Sequence, residues 1–298
     1  MESSILTQVL LPAALALLMF GMGLSLTTDD FKRLWRFPKP VLAGLFGQIL
    51  ILPILAFLIA SALDLRADLA IGLMIVAACP GGTMSNVLSH LCRANLALSI
   101  TLTAIGTVLC ILTTPLIIKF AIVQFSEQGL DNISLTQTAL GIMFVTLMPV
   151  LLGLVVKHKW NDFAQKCEDF FRRFSMLFMI GMIIAILIQE HELLVASFQQ
   201  MFFGALLLNL GAITTGIVLS KIFNLNITDT FTLGIEVGIQ NASMAMLIAV
   251  SFLNQSAWAL SPGVYGLTMY IGVALLVLYA RKLQKTQSPP ANTSNTTS

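Results

Sequence analysis

The chain has 298 residues, 57% of them hydrophobic and only 10% charged, where a soluble domain carries about 25% charged residues to cover its water-facing surface. With 16 Lys+Arg, 14 Asp+Glu and a mean hydropathy of +0.91, it cannot clothe a wetted surface of its own size, which excludes a soluble enzyme. A net charge of +2 gives no electrostatic footprint for nucleic acid. The cysteines (Cys79, Cys92, Cys110, Cys167) lack the C-x-x-C spacing of a zinc knuckle or a disulfide framework. These features predict an all-α polytopic membrane protein.

A helical span needs roughly 20 apolar residues. In chain order nine stretches qualify: about Ile5–Leu26, Pro40–Leu63, Leu69–Leu91, Leu96–Phe120, Leu135–Val156, Phe174–Ile188, Phe202–Phe223, Phe231–Leu253 and Trp258–Ala280. The first is a span and not a signal peptide, because Glu2 stands where a basic n-region belongs and the apolar run is too long. Nine spans place the termini on opposite sides, and Lys/Arg excess marks the cytoplasmic one. Lys32, Arg33, Arg36 and Lys39 follow span 1, and Arg93 follows span 3. Lys157, Lys159, Lys166, Arg172 and Arg173 follow span 5, Lys221 closes span 7, and Arg281, Lys282 and Lys285 follow span 9. Only Arg66 and Lys119 fall opposite. The N-terminus is therefore expected outside and the C-terminus in the cytoplasm, in a cell inner membrane or plasma membrane. Residues 1–284 form the expected transmembrane domain, and residues 285–298, polar and containing two prolines, a disordered cytoplasmic tail.

Two spans carry polar segments that lipid-facing helix does not tolerate. Span 3 contains Cys79-Pro80-Gly81-Gly82-Thr83-Met84-Ser85-Asn86, where Pro80 removes an amide donor and two glycines follow. Span 8 contains Glu236-Val237-Gly238-Ile239-Gln240-Asn241-Ala242-Ser243, with a carboxylate and two carboxamides at mid-membrane depth. Alone, the first would also suit a structural kink and the second a buried neutralised acid. Broken backbone and ionisable groups survive at that depth only when enclosed in protein or lining a cavity. The two segments sit five spans apart, hence in opposite orientation, which is the pattern of an inverted repeat supplying one discontinuous helix from each half. That pattern points to a secondary transporter.

At these residues the sequence resembles the bile acid:sodium symporter family. The likeness rests on Phe20-Gly-Met-Gly-Leu-Ser-Leu-Thr-Thr-Asp-Asp-Phe31, on Cys79-Pro-Gly-Gly-Thr-Met-Ser-Asn86 continuing through Asn95-Leu-Ala-Leu-Ser-Ile-Thr-Leu-Thr103, and on Glu236-Val-Gly-Ile-Gln-Asn241. The resemblance implies a core domain with two crossing discontinuous helices (spans 2–4 and 7–9) and a smaller panel domain (spans 1, 5 and 6). It also implies two sodium sites. The first would use Ser85, Asn86, Ser99, Thr103 and Glu236. The second would use Gln48, Glu236, Gln240 and the main-chain carbonyls of Val237 and Ile239. Hydroxyl, amide, carbonyl and carboxylate oxygens suit a hard cation. Ser99 and Thr103, four residues apart, share a helix face. On their own, Gln48 reads as a helix–helix hydrogen-bonder and Ser99 and Thr103 as packing residues.

Two Na⁺ beside one carboxylate leave a positive site that an organic anion would offset. Its expected cavity is lined by Thr83, Asn241 and Ser243, with Thr268 and Tyr270 nearby. No Arg or Lys is expected near the breaks to clamp a carboxylate, so recognition is expected from amides, hydroxyls and main-chain N–H groups. The implied cargo is bile-acid-like, pantoate-like or another carboxylate. The expected partners are this anion, Na⁺ and the lipid bilayer, with no nucleic acid and no obligatory protein partner. A sodium-independent carrier of the same superfamily, such as an arsenite exporter using Cys79, stays open. So does a non-transporting membrane receptor, which would want an appended soluble domain.

Overall fold

The computed structural model describes residues 9–82, 84–126 and 135–287, and among these the regular structure is helical, with one isolated antiparallel bridge and no strand. Helix α1 (Leu11–Leu24) opens with a proline in its first turn, where a missing N–H costs nothing. Helix α2 (Thr28–Arg36) departs from it at 60°. A capping box starts α2: the Thr27 amide donates to Asp30 Oδ2 at 2.8 Å while the Thr27 hydroxyl caps the first turn. Trp35 is 85% exposed beside Lys32, Arg33 and Arg36, the composition of a helix lying along a membrane interface. Lys32, hydrogen-bonded to Asp29 at 2.9 Å, holds that carboxyl below its usual range.

Helix α3 (Pro38–Ala62) contains a π turn at Gly47–Ile51. Pro53 causes it in part: its ring clashes with the carbonyl four residues back and it offers no amide to the ladder. Helices α4 (Ala67–Ala78) and α5 (Met84–Leu91) are the halves of the third span, followed by α6 (Leu96–Phe125). Then come α7 (Leu135–Lys159), α8 (Asn161–Gln189) and α9 (His191–Ile222). Helix α10 (Ile227–Gly238) and α11 (Ala242–Phe252, ending in a π turn) are the halves of the eighth span. Helix α12 (Leu260–Gln287) is opened by a 3-10 turn at Ala257–Ala259. It extends to Gln287, three residues into the segment expected to be a tail, whose remainder lies outside the described residues.

Among the described residues the nine expected stretches lie on helices or, for the third and eighth, on two helix halves, but length and composition alone give six crossings, or seven if bent α1–α2 counts as one. The difference comes from the breaks: Ala67–Ala78 and Ala242–Phe252 are each too short to cross alone. Helix α8 begins thirteen residues before the apolar run that predicted it, because hydropathy finds the apolar stretch and not the helix that carries it. Helix α9, with 32 residues, is roughly 48 Å long against a hydrocarbon core of about 30 Å.

Burial divides the helices. Every residue from Leu69 to Ala78 is buried, as is every residue from Phe231 to Gly238 and from Ala242 to Leu247. By contrast only 22% of the most apolar stretch of α7, and of α8, is buried. The broken helices thus run through the middle of the protein, where their backbone is shielded from lipid. Small residues permit the close approaches that hold helices together in a bilayer. A Cβ on Gly23 of α1 would overlap the Val150 carbonyl of α7, and one on Gly216 of α9 would overlap the Leu233 carbonyl of α10.

Candidate functional site

The two helix breaks meet and bond to each other. The Gly82 amide donates to the Ile239 carbonyl at 3.1 Å, and the Asn241 amide donates to the Pro80 carbonyl at 2.9 Å. Gly81 and Gln240 face each other across this antiparallel bridge. Backbone groups freed by the breaks are thereby satisfied without water. The crossing is tight: a Cβ on Gly82 would sit 3.1 Å from the Gln240 carbonyl oxygen. Asn241 starts α11 by accepting from the Met244 amide at 3.0 Å, as N-cap residues do.

Glu236 stands on the last turn of α10, 1% exposed. Both carboxylate oxygens are engaged. Thr103 Oγ1 donates to Oε1, and Ser99 Oγ lies 3.3 Å from Oε2. Ser99 Oγ is also 2.9 Å from Asn86 Oδ1 of α5, and Ser89 donates to it at 3.2 Å. Helices α5, α6 and α10 therefore converge on one carboxylate through the residues expected at a first sodium site. Ser85, also expected there, is fully buried and its hydroxyl approaches the same carboxylate.

The second expected set gathers round the same acid. A Cβ on Gly81 would be 3.3 Å from Gln48 Nε2 and 3.7 Å from Glu236 Oε1, so both side chains flank one piece of broken backbone. Gln48 rests on the π turn of α3, against Gly106, with its Nε2 buried and unpartnered. A half-turn of that amide presents oxygen in place of nitrogen. Gln240 donates to the Val237 carbonyl at 2.9 Å and leaves its own Oε1 buried without a partner. The Ile239 carbonyl keeps a lone pair beyond its bond to Gly82. Buried polar atoms are almost always satisfied, so two carboxamides left with an orphaned atom at this crossing mark a place built for something else. Among the described residues no cluster of three His, Cys, Asp or Glu side chains occurs.

Two residues not expected from the sequence hold the second break in place. Asn209 Nδ2 and the Tyr265 hydroxyl both donate to the Gly238 carbonyl, at 2.8 and 2.9 Å. Asn209 is visible in the sequence as a lone amide in the apolar run Leu208-Asn209-Leu210, the same kind of mark that distinguishes Gln48.

A cavity of about 110 Å³ adjoins the crossing, walled by Asn86, Gln240, Asn241, Ser243 and Tyr270 on one side and by Met19, Met22, Met176 and Met179 on the other. Thr83 lies outside the described residues. Thr268 is not brought to the wall: it is 4% exposed and its hydroxyl bonds the Val264 carbonyl at 3.0 Å within its own helix, so α12 presents Met269 and Tyr270 instead. The expectation that no basic group stands near the breaks is corrected as well. Arg172 of α8 forms part of the wall, brought there by packing between helices far apart in sequence.

A family model described as the Sodium Bile acid symporter family matches residues 12–197. The chain belongs to this symporter family. Among its relatives, the Uncharacterized sodium-dependent transporter YocS of Bacillus subtilis is 30% identical over 281 residues, covering 94% of this chain and 86% of the relative. The Probable sodium/metabolite cotransporter BASS2, chloroplastic, of Oryza sativa is 32% identical over 278 residues, 91% of this chain and 64% of its own length. Sodium/bile acid cotransporter 4 of Rattus norvegicus is 27% identical over 253 residues, 80% and 55%. The chain thus spans less than two thirds of the plant and animal relatives. Membership of the sodium bile acid symporter family makes this a multi-pass transporter-type protein and not an enzyme. The family match covers the first break and ends before the second, which falls within the longer alignments to the bacterial and rice relatives.

Proposed function

We propose that the protein is a sodium-coupled symporter that carries a small organic anion into the cytoplasm, with two Na⁺ bound where the broken helices cross. The observation that carries this reading is Glu236: a buried carboxylate, cradled by the hydroxyls of Ser99 and Thr103, with the unpartnered amide atoms of Gln48 and Gln240 at the same crossing. Ser85, Asn86, Ser99, Thr103 and Glu236 would hold the first ion. Gln48, Glu236, Gln240 and the carbonyls of Val237 and Ile239 would hold the second. Such donors suit Na⁺ because they are hard oxygens with little net charge, so binding is strong enough to couple and weak enough to release.

The bacterial, plant and animal relatives are named for sodium dependence or sodium cotransport and, in the last two, for a metabolite or bile acid as cargo. Two cations against one carboxylate favour an anionic companion in the adjoining cavity.

Helices α1, α7 and α8 act in this reading as a panel, and α3–α6 with α9–α12 as a core that moves against it. The cavity lies between the two, toward the ends of α1 and α8 that carry the basic segments, which by the Lys/Arg bias face the cytoplasm. Cys79, on which a thiol-dependent exporter would turn, is fully buried and absent from the cavity wall.

Purified protein in detergent tests the reading by thermal shift. Na⁺ is expected to stabilise the wild type where equal K⁺ does not, and the stabilisation is expected to vanish in Glu236→Gln and shrink in Asn86→Ala. Equal stabilisation by K⁺ would end the sodium reading. In vesicles, uptake of pantoate undiminished when choline replaces sodium would end the coupling.

A further inference from the structure

Arg172 is the one charged side chain among the described residues of the cavity wall. It stands on α8, and its place is set by its neighbour. Phe171 packs edge-on against Phe20 of α1, ring centroids 5.8 Å apart, and fills the notch left by Gly21. Arg172 therefore faces the space that Asn86, Gln240 and Asn241 border from the other side. Its only hydrogen-bond partner among the described residues is Asp169, one turn earlier on the same helix.

That ion pair is poorly protected. The two side chains are 41% and 64% exposed, and a wetted pair one turn apart is held weakly against solvent. Guanidinium binds carboxylate through two parallel N–H···O bonds and is the side chain best shaped for it. A carboxylate entering the cavity meets the same guanidinium and competes with Asp169 for it.

Resting on the proposed anion transport, we infer that Arg172 is the charge-selecting residue of the substrate site: it exchanges Asp169 for the carboxylate of the cargo. The polar remainder of the cargo is left to the amides and hydroxyl of Asn86, Asn241 and Ser243. This gives α8 a share in recognition of the cargo's carboxylate. A cargo bridged from α8 to the crossing also ties the two sides of the cavity together, and releases them when it leaves.

The test uses the full chain in detergent with sodium present, titrated with pyruvate, pantoate and cholate, and with the uncharged amide of whichever binds best. Arg172→Gln is expected to weaken the carboxylate about tenfold and Arg172→Lys less, while affinity for the amide changes little. Half-saturating sodium is expected to stay with the wild type, which separates loss of the guanidinium from damage to the crossing. Arg173→Gln removes the same charge from an exposed neighbour outside the wall and is expected to change nothing. Asp169→Asn, by removing the competitor, is expected to tighten the carboxylate. Equal carboxylate affinity in wild type and Arg172→Gln would overturn the assignment, as would an Asp169→Asn defect that copies Arg172→Gln. If sodium stabilises the protein but none of the three acids binds, the carboxylate assignment falls and sodium coupling stands. If sodium itself has no effect, both fall.

Discussion

Glu236 would be costly in hydrocarbon, and the residues around it explain how it is kept: two hydroxyls reach it from one face of α6, and an amide from α5 supports one of them. Removing Thr103 takes away a hydrogen bond to a charged acceptor, worth about 1.5–3 kcal/mol, and removing Ser99 takes away the hydroxyl that stands between Asn86 and the carboxylate. Ser99→Ala and Thr103→Ala are therefore each expected to raise half-saturating sodium on the order of tenfold, read from thermal-shift titrations, with Thr103→Ser close to wild type. A fall in melting temperature with unchanged sodium affinity would make both residues structural only. Sequence alone could name these side chains, because a carboxylate and two carboxamides at mid-membrane depth have few uses. It could not say which of them touch. Nor could it find Thr268's partner: a hydroxyl in an apolar helix reads the same whether it faces a cavity or bonds its own backbone, as Thr268 does to Val264. Arg172 was legible only as a topological marker, since its place in the wall depends on Phe171 packing against Gly21.

Helix irregularities put the ligands where they are. The π turn at Gly47–Ile51 adds a residue to one turn of α3 and so rotates the second half of the helix relative to the first. Gln48 sits inside that turn, and Pro53 supplies the missing donor and the clash that favour it. Pro53→Ala restores both groups to an ordinary ladder. It is expected to leave the melting temperature in potassium unchanged or raised, while half-saturating sodium rises several-fold because Gln48 has turned away. An identical sodium titration would show that the π turn has no part in the site. Gly82 makes the opposite kind of demand, on space. A side chain there meets the Gln240 backbone, and overpacking of this sort costs about 1–3 kcal/mol. Gly82→Val is expected to lower the melting temperature and abolish sodium stabilisation together. The breaks themselves were plain from Pro80 and the glycines, whereas the π turn and the long polar starts of α8 and α9 were not. Hydropathy averages over a window and is blind to a single extra residue in a turn.

At the scale of the molecule, the arrangement of basic residues predicts which way it sits. Gln255 precedes α12 and Lys221 lies in the last turn of α9; both are exposed, and the Lys/Arg bias predicts opposite sides for them. In a Cys167→Ser background, where the remaining native cysteines are buried, Gln255→Cys is expected to react with an impermeant maleimide on intact cells. Lys221→Cys is expected to react only after permeabilisation. The reverse pattern would invert the assignment of the cavity to the cytoplasm. The number of crossings was the least legible feature, because a broken span presents one apolar stretch to a sequence and two short helices to a structure. The pairing of those breaks also bears on how the protein is made. Gly82 and Ile239, which bond across the crossing, leave the ribosome about 160 residues apart, roughly ten to thirty seconds at 5–20 residues per second. For that interval the first break has no backbone partner in the bilayer. The nascent N-terminal half must wait with its Pro80–Gly82 segment near water or against the insertion machinery. The centre of the transporter is therefore completed only when the second break arrives.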